Sequence, residues 1–229
     1  MERIGILIVA GGCGRRAGGA LPKQFRLLAG RPVLLHTLER FAAALPGAEI
    51  VAVLPPEHLA FWQDLAARFE VPTHRAVAGG AERFHSVRNG LEALRSDLER
   101  IVVQDGVRPL ASPELIRRVV EAAADCGAAV PVVEPVDSFR TTDPDGLASH
   151  PIDRRRLRIV QTPQAFRAEV LRRAYAADYR PEFTDDATVV EAAGHAVRLV
   201  EGEPHNLKLT TPEDFLIAEA LLAARDEEA

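Results

Sequence analysis

The stretch ILIVAGGCGRRAGGALPKQF, residues 6–25, joins an aliphatic run to a glycine-rich loop that carries several cations. The continuous apolar run at 4–9 predicts a strand buried on both faces, as in a parallel sheet. The loop places Arg15, Arg16 and Lys23 among its glycines and contains no carboxylate. Glycine lets backbone N–H groups close around phosphate oxygens, and the cations would then neutralise them. The stretch therefore predicts a strand followed directly by a loop that binds phosphate groups.

Two other interpretations of this loop stay open at this point. Residues 12–17 match the G-x-G-x-x-A fingerprint of dinucleotide-binding folds. That fingerprint needs a helix to begin within the loop, whereas Gly18, Gly19 and Pro22 disfavour one. It also expects an acidic residue at the end of the second strand, which instead ends in Leu54 and Pro55. A solvated surface loop with no ligand is the second possibility.

Strand and helix patterns alternate along the chain, which predicts a Rossmann-like, doubly wound, mostly parallel α/β sheet with helices on both faces. We expect one domain over residues 1–229. The predicted strands are 4–9, 49–54, 74–77, 100–104, 128–133, 157–161 and 196–200, and the predicted helices are 33–45, 56–69, 82–94, 113–124, 167–175, 185–193 and 211–224. Short β-prone pieces around Asp143-Pro144-Asp145-Gly146 predict a protruding β-arm at about 135–158. Ligands of such sheets bind beyond the carboxyl ends of the strands.

Composition excludes several classes of function. The net charge of −5 argues against a general nucleic-acid binder. No apolar run approaches the roughly 18 residues of a membrane span, and the N-terminus lacks a signal-peptide layout, so we expect a cytoplasmic protein without a membrane partner. The two cysteines, Cys13 and Cys126, make neither a disulfide framework nor a zinc site.

Lysine is almost absent from this chain. Of the 28 basic residues only Lys23 and Lys208 are lysines, and the others are arginines. A lysine is a compact point charge and an arginine a planar fork, so the two are not equivalent where one oxyanion must be gripped. Chance survival remains an alternative, but the two positions are candidates for phosphate contacts.

Six motifs in order resemble those of the sugar-phosphate nucleotidylyltransferases, and in particular the family of 2-C-methyl-D-erythritol 4-phosphate cytidylyltransferases of non-mevalonate isoprenoid biosynthesis. The resemblance spans nearly the whole chain. The motifs are AGGCGRR at 10–16 with PKQ at 22–24, AGGAERFHSV at 78–87, QDGVRP at 104–109, TPQ at 162–164, TDDA at 184–187, and EG at 201–202 with NLKLT at 206–210.

The resemblance implies that CTP and methylerythritol phosphate react with Mg²⁺ to give the CDP-alcohol and pyrophosphate. It also implies a homodimer whose β-arm embraces the partner subunit. A related cytidylyltransferase acting on another polyol phosphate, such as ribitol 5-phosphate, is the nearest alternative, because the motifs are partly shared. A non-catalytic nucleotide-binding module is an alternative of another class.

Residue roles follow from the same resemblance. The implied catalytic residues are Arg16, Lys23, Arg154 and Lys208. The implied nucleotide-binding residues are Ala10, Gly11, Gly12, Gly14, Lys23, Gly80, Ala81, Ser86 and Asp105. The implied substrate-binding residues are Arg83, Asp105, Arg108, Ser138, Arg154, Thr184, Asp185 and Lys208, and Asp105 would approach a Mg²⁺ held mainly by the CTP phosphates. The acceptor is already a phosphate monoester, so catalysis can rest on positioning and charge neutralisation without a general base.

Some assignments stay open within this set. The family usually has alanine where Gly11 stands, Asp at Ala81, His at Gln104 and Thr at Ser138. Any arginine of 154–158 could be the substrate contact. Asp185 and Asp186 could bind metal, although charge at a helix N-terminus with Thr184 as its N-cap is the simpler interpretation.

Overall fold

The aliphatic run that opens the chain forms the central strand of a mostly parallel sheet. The structure, a computed structural model, describes residues 3–11 and 21–227. Its strands are β1 (Ile4–Val9), β2 (Leu27–Leu28), β3 (Arg31–Pro32), β4 (Glu49–Leu54), β5 (Arg75–Ala78), β6 (Arg100–Asp105), β7 (Ala128–Val133), β8 (Phe139–Thr142), β9 (Ser149–Ile152), β10 (Ile159–Val160), β11 (Gln164–Arg167) and β12 (Arg198–Glu201). Its helices are α1 (Val33–Ala44), α2 (Leu59–Ala66), α3 (Arg83–Ala93), α4 (Pro113–Cys126), α5 (Ala168–Ala174), α6 (Asp186–Ala192) and α7 (Pro212–Glu227).

The main sheet runs in the order β12–β7–β11–β6–β1–β4–β5, with the short β10 also paired antiparallel to β7. Every neighbouring pair on the β6–β1–β4–β5 side is parallel, and β11 alone of this order runs antiparallel to both of its neighbours. The predicted doubly wound α/β sheet is confirmed, but β11 of this sheet was not predicted, nor was the separate short pair β2–β3. The expected strand at 157–161 is reduced to Ile159–Val160.

Helices cover both faces of this sheet, which explains why β1 is apolar without alternation. Ile6 and Ile8 pack with α1, α2 and α4 on one face, while Leu7 packs with α3, α5 and α6 on the other. Because β1, β4, β5 and β6 are parallel, their carboxyl ends meet at one edge of the sheet, where ligands of such folds bind.

Local sequence signals set both ends of α4. Ser112 caps α4 by accepting a hydrogen bond from Leu115 N at 3.0 Å, Pro113 occupies the first helical position, and Gly127 ends the helix at φ 89°.

The predicted helix at 56–69 is instead a 3₁₀ turn, Pro56–His58, followed by a shorter α2. None of the described helices is long and apolar enough to cross a bilayer.

The predicted hairpin between β7 and β10 is present. Strands β8 and β9 pair antiparallel with each other, from Phe139 opposite Ile152 to Thr142 opposite Ser149, and form a separate two-stranded sheet. All four residues of β8 are exposed. The hairpin therefore draws its stability within this chain mainly from its own ladder, although an isolated hairpin is marginal in water.

Candidate active site

The carboxyl ends of β1, β5 and β6 open onto a cavity of about 400 Å³. That volume suits a small-molecule ligand. All of the nucleotide-binding residues expected from the sequence that lie in described segments line it, including Lys23, and so does Lys208. The lining residues are Val9, Ala10, Gly11, Lys23, Gln24, Gly80, Ala81, Glu82, Arg83, Ser86, Asp105, Val107 and Lys208. Gly12, Gly14 and Arg16, which the sequence also assigned to the site, lie outside the described residues.

The first wall of the cavity is the end of β1 with the 3₁₀ turn Lys23–Phe25. Ala10 N donates to Val53 O at 2.9 Å, and the buried Gln24 donates from Nε2 to Ala10 O at 2.8 Å. Gln24 thereby fixes the backbone of the strand end beside Lys23. Gln24 had no predicted role, although it is the third residue of the PKQ motif.

The second wall is the loop between β5 and α3. Ser86 Oγ accepts a hydrogen bond from Gly80 N at 3.1 Å and donates one to Glu82 O at 3.1 Å, so the hydroxyl clamps the loop. A Cβ on Gly79 would lie 2.8 Å from Ser86 Oγ, and a Cβ on Gly80 would overlap the Cβ of His85. Both glycines are therefore required by the close approach of α3.

The third wall holds a carboxylate surrounded by cations. Asp105 Oδ2 lies 2.9 Å from Lys208 Nζ and 3.5 Å from Arg108 Nε, and its Oδ1 lies 3.8 Å from Arg83 Nη2. Burial alone would raise the pKa of Asp105, but Arg83, Lys208 and Arg108 outweigh it and lower the pKa to about 2. Asp105 is therefore ionised at neutral pH, and the cluster as a whole carries net positive charge.

The loop that carries Lys208 is tied to the same strand end as Asp105. Asn206 is fully buried and donates from Nδ2 to Thr162 O at 2.8 Å, while Asp105 N donates to Thr162 Oγ1 at 3.0 Å. Arg108 Nη1 donates to Asn206 O at 2.8 Å. These bonds hold Lys208 over β6. The motifs contained Asn206 and Thr162, but nothing in the sequence indicated that they bond to each other.

The TDDA motif has a different arrangement from the one expected. Asp185, and not Thr184, is the N-cap of α6, since its Oδ1 accepts from Thr188 N at 2.9 Å and its Oδ2 accepts from Gln164 Nε2 at 2.8 Å. The expectation of Thr184 as N-cap is wrong. Neither residue lines the cavity. Across 3–11 and 21–227, no group of three or more His, Cys, Asp or Glu residues is placed to hold a metal.

The arm residues expected at the site lie away from this cavity in the single chain. Ser138 and Arg154 are exposed, and Arg154 Nη1 donates to Val136 O. Of the neighbouring arginines, Arg155 pairs with Asp153 and Arg158 lies 3.0 Å from Glu134 Oε1. The geometry of one chain thus brings Lys23, Arg83, Asp105, Arg108 and Lys208 together and leaves the arm's residues apart.

The departures from the family pattern fall on this site unevenly. Gly11 and Ala81 line the cavity, whereas Ser138 does not. Gln104 is buried and donates from Nε2 to Arg108 O at 2.9 Å, so it supports the turn after β6 without lining the cavity.

Comparisons with known proteins identify the family to which this chain is similar. The IspD family model, described as 2-C-methyl-D-erythritol 4-phosphate cytidylyltransferase, matches residues 4–224. Proteins of that name from Porphyromonas gingivalis ATCC 33277 and Bacteroides thetaiotaomicron are 48% and 45% identical over 220 and 218 residues, covering 95% of this chain and 97% and 98% of theirs. A solved 2-C-methyl-D-erythritol 4-phosphate cytidylyltransferase from Thermus thermophilus superposes with a TM-score of 0.74 at 35% identity, covering 96% of this chain and 98% of that one.

Proposed function

The chain belongs to the IspD family of 2-C-methyl-D-erythritol 4-phosphate cytidylyltransferases, and on that basis we propose that it transfers CMP from CTP to 2-C-methyl-D-erythritol 4-phosphate. The products are 4-diphosphocytidyl-2-C-methyl-D-erythritol and pyrophosphate, in non-mevalonate isoprenoid biosynthesis. The observation that carries the proposal is the placement of both lysines of the chain in one cavity at the carboxyl edge of the sheet.

The chemistry needs positive charge more than it needs a base. An oxygen of the acceptor's phosphate attacks the α-phosphorus of CTP, a new P–O bond forms, and the bond to pyrophosphate breaks with its electron pair leaving on pyrophosphate. Lys23 and Arg16 would bind the triphosphate and stabilise the charge that develops on the attacked phosphorus. The acceptor is already ionised, so no side chain has to remove a proton.

Lys208 would position the acceptor phosphate. Its ammonium is held 2.9 Å from Asp105, beside Arg108, on a loop anchored through Asn206. An incoming phosphate can bind the Lys208 ammonium without any movement of the loop. Such preorganisation makes a reaction between two substrates effectively intramolecular.

The cytidine would occupy the space between the ends of β1 and β5. Backbone groups of the two glycine-rich segments and the Ser86 hydroxyl would contact it, and a small enclosed pocket would exclude a purine by size. The nucleotide set is Ala10, Gly11, Gly12, Gly14, Lys23, Gly80, Ala81, Ser86 and Asp105. The acceptor set would be Arg83, Asp105, Arg108, Ser138, Arg154 and Lys208, with Thr184 and Asp185, which do not line the cavity, acting through the residues that support it.

A divalent cation would fit this site between Asp105 and the triphosphate of CTP. Asp105 is a single ionised carboxylate whose oxygens already face three cations, so the residues that the structure describes do not by themselves form a cage for Mg²⁺. Mg²⁺ commonly binds through one carboxylate and substrate phosphates. Bound in that way by CTP and Asp105, it would neutralise charge on the triphosphate.

A homodimer would complete the site. Exposed apolar side chains occur on the arm at Val136 and Leu147, on β10 at Ile159 and Val160, and on β12 at Leu199. Exposed apolar groups of this kind mark interaction surfaces. We infer that a second copy of the chain covers these side chains and that Arg154 on the arm reaches the partner's cavity. We also propose that the enzyme acts in the cytoplasm.

Acceptor choice separates this function from its nearest alternative. The reaction would be followed by pyrophosphate release from CTP and Mg²⁺ with methylerythritol 4-phosphate or ribitol 5-phosphate, with the cytidylated product identified by ³¹P NMR. Turnover with ribitol 5-phosphate alone would keep the mechanism and change the substrate. CTP binding without turnover on either acceptor would favour a non-catalytic module.

A further inference from the structure

A buried acid and a buried tyrosine behind the cavity form a support for Arg83. Arg83 is the first residue of α3 and lines the cavity, and its side chain is 27% exposed. Its Nη2 donates to Asp186 Oδ2 at 2.6 Å. The second oxygen of that carboxylate, Oδ1, accepts a hydrogen bond from the Tyr175 hydroxyl at 2.6 Å. Asp186 is fully buried and is not part of the cavity lining.

Because the Asp186 carboxylate is buried, its contacts with Arg83 and Tyr175 are needed to stabilise its charge. An unpaired buried charge costs several kcal/mol or more, whereas a carboxylate with both oxygens bonded and a charged partner is stable in that position. Burial by itself would lower the pKa of Arg83, but Asp186 reverses this and raises the pKa above its ordinary value. Burial and Asp186 also raise the pKa of Tyr175 well above its ordinary value. Arg83 is therefore a permanent cation and Tyr175 a permanent donor.

The tyrosine is itself fixed by packing. Its ring stacks on Phe84 with centroids 4.8 Å apart, and Phe84 follows Arg83 directly in α3. Asp186 lies in the first turn of α6, where the helix dipole favours a negative charge. The first turn of α6 contacts the guanidinium at the start of α3, and the end of α5 supports that contact through Tyr175.

The two carboxylates near Arg83 are not equivalent. Its Nη2 is 2.6 Å from Asp186 but 3.8 Å from Asp105, which leaves Asp105 in close contact with Lys208 at 2.9 Å. Without the charge on Asp186, Arg83 would move onto Asp105 and compete with Lys208 for it. The charge on Asp186 therefore keeps Arg83 and Lys208 as separate cations at the cavity.

We propose that Asp186, supported by Tyr175, is a positioning residue for the cytidylyl transfer, acting through Arg83 rather than by touching a substrate. This inference rests on the proposed function, because the effect is read in that reaction. It gives a functional role to Asp186, the second aspartate of the TDDA motif. From the sequence alone, Asp186 could have been either a metal ligand or a charge at the N-terminus of a helix.

The test is a double-mutant cycle measured as kcat/KM for methylerythritol 4-phosphate. Asp186→Asn keeps the shape and removes the charge, and we expect a fall of about tenfold or more, with a smaller fall for Tyr175→Phe. In an Arg83→Gln background, both changes should have less than about a twofold effect, because their target is gone. Tyr179→Phe is the matched control, since Tyr179 packs on the same Phe84 ring and Asp186 Oδ1 takes its bond from Tyr175 instead.

A purely structural role gives a different pattern. Asp186→Asn would then lower the melting temperature while leaving kcat/KM of the folded fraction unchanged, or its effect would persist in the Arg83→Gln background, and either result overturns the inference. Should Asp186→Asn not fold, Tyr175→Phe decides in the same way. A wild-type enzyme without turnover would overturn the proposed function and this inference together, whereas normal turnover in Asp186→Asn would overturn the inference alone.

Discussion

The ammonium of Lys208 lies 2.9 Å from Asp105 Oδ2, although the two residues are far apart in sequence. One comes from the loop before α7 and the other from the last position of β6. The acid keeps the lysine at the cavity before any phosphate arrives, and the surrounding arginines keep the acid ionised. This pair is the centre of the proposed phosphate-binding site.

Removing the ammonium should therefore remove catalysis. We expect Lys208→Ala to lower kcat by about 100-fold or more, as loss of one charge-stabilising donor does elsewhere. Lys208→Arg should recover only part of the rate, because a planar fork does not replace a point charge. Steady-state pyrophosphate release measures both. Arg117→Ala, an exposed arginine on α4, is the control, and an equal loss there would refute a specific role for Lys208.

Because of Asp105, the free energy of unfolding should depend on pH in the acid range. Its pKa falls from 3.8 to about 2 on folding, so its contribution is present above about pH 4 and is lost as pH falls through 2. The contribution is on the order of 2 kcal/mol. In Asp105→Asn we expect lower stability at pH 7 and a flatter dependence of the free energy of unfolding between pH 5 and 2.5, measured by urea titration.

The control for that titration is Asp97→Asn, whose side chain is half exposed and pairs with Arg3 and Arg95 at 3.8 Å. Exposed pairs contribute little. An Asp105→Asn curve parallel to the wild type over the acid range would contradict the ion cluster described here.

Two glycines of the same cavity should respond differently to a methyl group. A Cβ on Gly80 would overlap His85, while a Cβ on Gly11 would lie 3.4 Å from Ser86 Oγ, at the limit of ordinary contact. Overpacking costs about 2 kcal/mol, so Gly80→Ala should weaken CTP binding by about tenfold or more. Gly11→Ala should stay within about threefold. Calorimetric titration with CTP compares them, and equal effects would show that the loop geometry does not set nucleotide affinity.

The shared site predicts complementation between inactive subunits. Arg154→Ala and Lys208→Ala enzymes should each be inactive, yet co-expression should restore up to about a quarter of wild-type activity, because half of the dimers are mixed and each has one intact site. Sedimentation should show a dimer throughout. Failure to recover activity in a proven mixed dimer would place Arg154 outside the partner's site.

The sequence predicted the parallel part of the fold well because continuous aliphatic runs end at clear breaks. The expected bounds of β1, β4 and β7 match the structure. Strand β11 was missed because it has only four residues, among them Gln164 and Arg167, and these show no run or alternation of apolar residues. Its pairing partners β6 and β7 also lie far away in sequence.

The residues of the site were predicted better than their contacts. The motifs identified Asp105, Arg108 and Lys208, but the bonds through Asn206 that bring them together depend on tertiary structure. Threonine and aspartate are both good helix caps, so TDD alone could not tell which residue caps α6. Tertiary contacts determine which residue is the N-cap. Asp186 is buried by its bonds to Arg83 and Tyr175, and Asp185 is left in the capping position.

The most direct test of the account is a paired assay of acceptor use by the wild-type enzyme. CTP and Mg²⁺ would be supplied with methylerythritol 4-phosphate in one reaction and ribitol 5-phosphate in the other, with pyrophosphate and the cytidylated product both measured. We predict turnover with methylerythritol 4-phosphate and none above background with ribitol 5-phosphate. Turnover with ribitol 5-phosphate alone, or CTP binding with no turnover on either acceptor, would contradict the proposed function.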